Sequence, residues 1–98
     1  MDQLPPGNGH KWTDEERSQI LRLEQVCRDA AHWEMECSHT DAGDPWCVIY
    51  DCHEHRTILH IARIDRRYVV VSPILQRSAS KATMAAAVDL ALSETIAA

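Results

Sequence analysis

Between Gly43 and Pro73 the chain reads GDPWCVIYDCHEHRTILHIARIDRRYVVVSP, three apolar runs rich in Val, Ile and Tyr set apart by short polar segments. Runs of that length and composition suit a pleated, half-buried backbone, and connections of two to four residues can only join antiparallel neighbours. The stretch therefore demands a meander, and the remaining elements must be fitted around its sheet.

Upstream, Trp33, Met35, Cys37 and His39 alternate with Glu34, Glu36 and Ser38, the period-two signature of a half-exposed strand. The regularly spaced carboxylates mark it as an edge. After the loop Thr40 to Pro45, strands are expected over Trp46–Asp51, Arg56–Ile64 and Arg67–Ser72. Closure at Asp65-Arg66 sets Ile61 opposite Val70 and Ala62 opposite Val69, and a turn over Cys52–His55 sets Leu59 opposite Val48 and His60 opposite Cys47. One face then carries Trp33, Met35, Cys37, Trp46, Val48, Tyr50, Leu59, Ile61, Tyr68 and Val70. The other carries Cys47, Ile49, Ile58, His60, Ala62, Ile64, Val69 and Val71. Both are apolar at the centre, so the sheet must be covered twice, by a helix on each side or by both helices on one side and a second subunit on the other.

The first helix announces its start. Thr13-Asp14-Glu15-Glu16 is a capping box with acids at the positive end of the helix dipole, and the helix is expected from Asp14 to about Ala31. Ile20, Leu23, Cys27, Ala30 and Ala31 form its apolar stripe, while Arg17, Arg22, Glu24, Gln25 and Arg28 face water. Pro73 ends the last strand, Gln76 to Ser80 reads as a polar connector, and Ser80 is placed to cap an Ala-rich helix from Lys81 to about Thr95. Met84, Ala87, Val88, Ala91 and Thr95 share one face of it. The expected fold is α+β, a four-stranded antiparallel meander flanked by an N-terminal and a C-terminal helix in the order α-β-β-β-β-α. Residues 1–11, with Pro5, Pro6, Gly7 and Gly9, are expected to be a flexible lead-in to a single domain over 12–98.

A net charge of −5 argues against a nucleic-acid partner, but the charge is unevenly placed. Residues 1–55 hold 4 basic groups against 12 acidic ones, whereas residues 56–81 hold Arg56, Arg63, Arg66, Arg67, Arg77 and Lys81 against Asp65 alone. Met1 to Asn8 lacks the basic and apolar regions of an export signal, and the low-polarity run Ala82 to Leu92 is broken by Thr83 and Asp89, so no membrane association is expected. Cys27, Cys37, Cys47 and Cys52 form no C-x-x-C pair, and without an export signal the expectation is four reduced thiols in a cytoplasmic protein.

Gly43-Asp44-Pro45-Trp46, then Val48-Ile49-Tyr50-Asp51, His60-Ile61-Ala62-Arg63-Ile64-Asp65 and Tyr68-Val69-Val70 resemble an uncharacterised family of small alphaproteobacterial, chiefly rhizobial, hypothetical proteins with a GDPW…HIARID-x-x-YVV pattern. The resemblance covers about residues 37–75, implies a bacterial origin and carries no activity with it. Some members place a similar module before haemolysin-type calcium-binding repeats, but this chain has no Gly/Asp-rich nonapeptides, so calcium binding is not carried over. Where the pattern has Asp-Gly this chain has Asp65-Arg66, and arginine accepts the positive φ of a type I′ turn less readily than glycine.

Three groups of side chains could do chemistry. Cys52, His53 and His55 are zinc-type ligands at a turn, but no second ligand pair follows at metal-binding spacing, so they are weak candidates and no cofactor is expected. His60 beside Cys47, with Ser38 or Glu36 on the next strand, could activate a thiol, yet a lone histidine in an apolar strand is more often a core residue, and no oxyanion-hole signal accompanies it. Arg63, Arg66, Arg67 and Tyr68 gather at one hairpin end and suit an anion or an acidic partner surface. Trp12, Trp33 and Trp46 are expected as core anchors, Trp46 foremost. The reading is a non-catalytic, cytoplasmic interaction module forming a homodimer or docking on an acidic protein; the alternative is a small-ligand or metal-responsive sensor using His and Cys.

Overall fold

A computed structural model describes residues 12–74 and 76–97. Helix α1 (Asp14–Asp29) precedes strands β1 (Trp33–His39), β2 (Pro45–Asp51), β3 (Arg56–Ile64), β4 (Arg67–Ser72) and β5 (Arg77–Lys81), and α2 (Met84–Ala97) closes the chain. The five strands form one antiparallel sheet in sequential order. The α+β class and the meander are as expected, with one strand more than the four read from sequence. The expected flexible lead-in, residues 1–11, lies outside the described residues.

The fifth strand is the stretch read as a connector. Arg77-Ser78-Ala79-Ser80-Lys81 lacks the bulky residues that flag a strand, but β4 offers it a free edge of backbone donors and acceptors. Ala79 lies opposite Val70, and Arg67 clips the edge by donating from Nε to the Ser80 hydroxyl at 2.6 Å and from Nη2 to the Ser80 carbonyl at 3.1 Å. With Ser80 so engaged, the cap of α2 passes to Thr83, whose hydroxyl accepts from the Ala86 amide at 3.1 Å.

Helix α1 starts as read. The Thr13 hydroxyl accepts from the Glu16 amide at 3.1 Å, and a Glu16 carboxylate oxygen accepts from the Thr13 amide at 2.8 Å. Both helices lie on the same side of the sheet, α1 over β1 and against α2, and α2 over β3, β4 and β5. Ile20 and Leu23 of α1 and Met84, Ala87, Val88 and Ala91 of α2 meet Cys47, Ile49, Leu59, Ile61 and Val70 in a single core. The small side chains of α2 let its backbone approach the sheet closely.

The β3–β4 register is the expected one, with Ile61 opposite Val70 and Ala62 opposite Val69. The β2–β3 register is not. Asp51 pairs with Arg56 and Tyr50 with Thr57, as the turn over Cys52–His55 requires, but the ladder then shifts so that Ile49 meets Leu59 and Val48 meets His60. Ile58 is the extra residue of a β-bulge. One inserted residue reverses the parity of everything beyond it. Cys47 and Ile49 therefore join Trp33, Met35, Leu59, Ile61 and Tyr68 under the helices, while Trp46, Val48 and Tyr50 turn outward with His60, Ala62, Ile64, Val69 and Val71. Trp46 is thus an outward, half-buried residue and not the main core anchor; Trp12, 8% exposed, fills that role.

Candidate interaction surface

The outward face is assembled by alternation along the strands. At one level across the sheet lie Glu36, Val48, His60, Val71 and Ser78, and at the next Ser38, Trp46, Ala62, Val69 and Ser80. Five strands at ~4.8 Å spacing and ~3.3 Å rise per residue make this face on the order of 500 Å² per copy. No described element covers it. Its centre is apolar, Ala62 being only 6% exposed beneath its neighbours, and its margin includes Tyr50 at 37% and Ile64 at 42% exposure. Its two sides differ in charge: Glu34 and Glu36 line the β1 side, where with Val48 and Tyr50 they border a depression of about 270 Å³, while Arg67, Ser78 and Ser80 line the opposite side. At the centre stands His60, half-buried, its ring 6.0 Å from that of Trp46 and tilted by 35°. Burial holds its imidazole below the ordinary histidine pKa of 6.5.

The inward face treats its polar groups differently. Glu16, buried in the first turn of α1, accepts from Arg63 Nη1 at 2.6 Å and from the Tyr68 hydroxyl at 2.5 Å, joining α1 to β3 and β4. The Arg63 guanidinium also lies 5.9 Å from the centre of the Trp12 ring. Burial alone would raise the Glu16 pKa, but the bonds from Tyr68, the Thr13 amide and Arg63, with the charge of Arg63, bring it below 4.5. Burial, then the bond to Glu16 and its negative charge, push the Tyr68 hydroxyl up to about 12. The four residues read as an anion site are therefore not brought to one surface. Arg63 and Tyr68 point inward to Glu16, Arg67 points outward to Ser80, and Arg66 sits exposed in the turn between.

The cysteines and histidines are also dispersed. Cys37 and Cys47 sit opposite each other in register, Cα atoms 4.3 Å apart, and form a disulfide. This corrects the expectation of four reduced thiols, and a bridged pair is at home in oxidising surroundings. It also removes Cys47 as a nucleophile, and the bulge puts His60 on the opposite face from it. Of the free thiols, Cys27 is pushed up by burial and by the Glu24 carboxylate, and Cys52 by burial, by its bond to Glu34 and by the charges of Glu34 and Asp51. Both environments oppose thiolate formation. At the β2–β3 turn, His53 stacks on His32 with ring centres 4.8 Å apart, and His55 adopts φ 56°. Among the described residues no group of three or more His, Cys, Asp or Glu side chains is arranged to hold a metal ion, so Cys52, His53 and His55 do not converge. The turn is organised instead by Asp51, whose Oδ1 accepts from the His53 and Glu54 amides at 2.9 Å each. The Glu54 amide is the largest influence lowering its pKa, with His53, Trp33 and Arg56 adding to it against burial.

Sequence reasoning missed Glu16 as a partner of Arg63 because nothing in a capping box says what its second carboxylate oxygen will meet. Among the described residues, no helix is long and apolar enough to cross a membrane. Comparison with protein-family models, curated proteins and solved structures finds no match for this chain.

Proposed function

We propose that the chain is a small non-catalytic protein-interaction module that self-associates through the outward face of its sheet, the occupant of that face being a second copy of the same chain. The observation that carries this reading is the contiguous apolar centre of Trp46, Val48, Ala62, Val69 and Val71 on a sheet whose two helices both lie on the other side. Apolar patches of several hundred Å² on soluble proteins mark contact surfaces. Two whole outward faces, polar margins included, would together bury about 1,000 Å², the lower bound for a specific interface.

Charge favours a second copy of this chain over an acidic partner. A two-fold axis parallel to the strands lays β1 of one copy across the β4–β5 side of the other and keeps the level along the strands, setting Glu36 against Ser78 and Ser38 against Ser80, which holds the Arg67 guanidinium one level from Glu36. An axis across the strands would set acid on acid. The absence of catalysis in this reading is supported by the raised free thiols, the bridged Cys47 and the internal use of Arg63 and Tyr68.

Sedimentation equilibrium at micromolar concentrations and neutral pH tests the proposal. The expected species has twice the chain mass of 11.1 kDa, and Val71→Lys reverts it to the single chain without loss of secondary structure. A wild-type protein that stays a monomer to 100 µM on such a scan (about tenfold above a moderate dimer's Kd) overturns self-association and leaves the face to another partner or to residues 1–11.

A further inference from the structure

We infer that His60 makes this self-association pH-dependent, neutral imidazoles packing between the paired faces and protonated ones driving the copies apart. The inference rests on the self-association reading above and adds to it the group that regulates the contact.

The geometry places the ring where a charge would be most costly. β3 is the central strand of five, and His60 lies near the middle of its outward residues, with Val48 of β2 and Val71 of β4 directly across on either side. Trp46 leans against the ring from β2, and Val69 and Ala62 complete its surroundings. The charged and titratable groups on the same face are peripheral. Glu34 and Glu36 lie on β1 beyond the whole of β2, the Tyr50 hydroxyl is at the margin, and Arg67 sits at the far end of β4 against Ser80. The helices contribute no group to this face, because both pack on the other side. Burial is the sole cause of the depressed imidazole pKa, with no carboxylate holding the proton on.

Pairing deepens that burial. In the single chain the half-buried ring reaches water and can accept a proton there. Between two apolar faces it loses that water and finds no anion in its place, so the charged form is disfavoured further. The sign follows from linkage. The dissociated chain binds the proton better than the pair does, so assembly is complete above the pKa of His60 in the single chain and weakens as pH falls through that value, which lies below 6.5. A two-fold pair carries two such rings, so the dissociation constant should rise on the order of 100-fold one pH unit below that pKa.

The experiment is sedimentation velocity of the full chain over a concentration series at pH 7.5 and at a pH about one unit below the imidazole pKa that the proton resonances of His60 show in the dilute chain, for the wild type and for His60→Leu. The expected result is a wild-type dissociation constant at least about tenfold weaker at the lower pH, with His60→Leu dimeric and nearly constant across the two. A wild type that is monomeric at pH 7.5 breaks the self-association reading and the inference with it. A wild-type dimer of equal affinity at both values overturns the inference alone, as does a pH effect that survives in His60→Leu. Should the variant fold poorly, the imidazole proton resonances of wild-type His60 titrated at low and high protein concentration decide the question. A pKa that falls as the protein is concentrated supports the inference, and one that is independent of concentration overturns it.

Discussion

The inward face of the sheet presents Cys47, Ile49, Leu59, Ile61 and Val70, and the outward face presents Trp46, Val48, Ala62, Val69 and Val71. Side chain for side chain the two are about equally apolar, yet one is roofed by both helices and the other by none. What separates them is the polar groups. On the inward face Arg63 and Tyr68 find a buried carboxylate in α1, and Arg77 of β5 reaches Glu94 of α2 at 3.5 Å. On the outward face the charges keep to the two sides, where they remain hydrated. Apolar content thus made two faces capable of burial, and the matched charges select which of them receives the helices.

The strongest test of that asymmetry is truncation on each side. Leu59 is 1% exposed and packed among both helices, whereas Ile64 is 42% exposed on the outward side. Leu59→Ala should cost about 3 kcal/mol in urea unfolding, and Ile64→Ala less than about 1 kcal/mol. The comparison is made at concentrations low enough to keep the protein monomeric, since assembly would stabilise the outward face. Equal costs would mean that the outward face is covered within the single chain.

Glu16 is the next lever, because it supplies half of the capping box and the acceptor for two inward-facing side chains. Glu16→Gln should cost about 2 kcal/mol at neutral pH by removing the buried negative charge that accepts from the Arg63 guanidinium and the Tyr68 hydroxyl. Its pH dependence carries a definite sign. The folded pKa of Glu16 lies below 4.5, so its stabilisation is fully present above 4.5 and is lost as pH falls through the folded value. Asp51, lowered from 3.8, acts in the same direction. Acid unfolding of Glu16→Gln should therefore be shallower than that of the wild type, and an unchanged slope would show that the carboxylate does not hold the helix to the sheet.

The disulfide marks where the inward face runs out, since Cys47 is 2% exposed while Cys37, across from it on the edge strand, is open to solvent. Closing a ten-residue separation should contribute about 2 kcal/mol by limiting the unfolded chain. Reagents for free thiols should count two sites, Cys27 and Cys52, in the unfolded oxidised protein and four after reduction. Four in the oxidised sample would restore the expectation of reduced cysteines.

Much of this architecture is legible in the sequence where a local rule suffices. Thr13 and Glu16 sit at capping-box spacing, Asp65-Arg66 closes β3 on β4 in the expected register, and Met84, Ala87, Val88 and Ala91 share the buried stripe of α2. The sidedness of the sheet is not legible, because it turns on one residue. The turn over Cys52–His55 has the expected length, but the bulge that brings Ile58 and Leu59 both into the core has no glycine or proline to announce it. β5 was hidden for a related reason, its pairing drawn from the edge of β4 and from Arg67 while its own residues are small and polar. Convergence of distant side chains, Glu16 with Arg63 and Tyr68, follows only once that sidedness is known.

The smallest expected effect concerns the turn that fixes the register of β4 on β3. Asp65 and Arg66 adopt φ 51° and 65°, the pair of positive values that a type I′ turn requires. A residue with a Cβ is strained there by about 1 kcal/mol, whereas glycine adopts the conformation freely. The surrounding strands hold Arg66 in place, because a longer or looser turn would slip the register and carry Ile61 and Val70 out of the core. Arg66 is exposed, so its replacement removes no buried contact. Arg66→Gly should therefore stabilise the fold by about 0.5 kcal/mol, the relief of strain being offset in part by the greater freedom of glycine in the unfolded chain. The increase should appear in the denaturation midpoint with an unchanged dependence on denaturant. A loss of stability would show that the Arg66 side chain makes a contribution the strain does not cancel, and the hairpin would then be held by its charge as well as by its geometry.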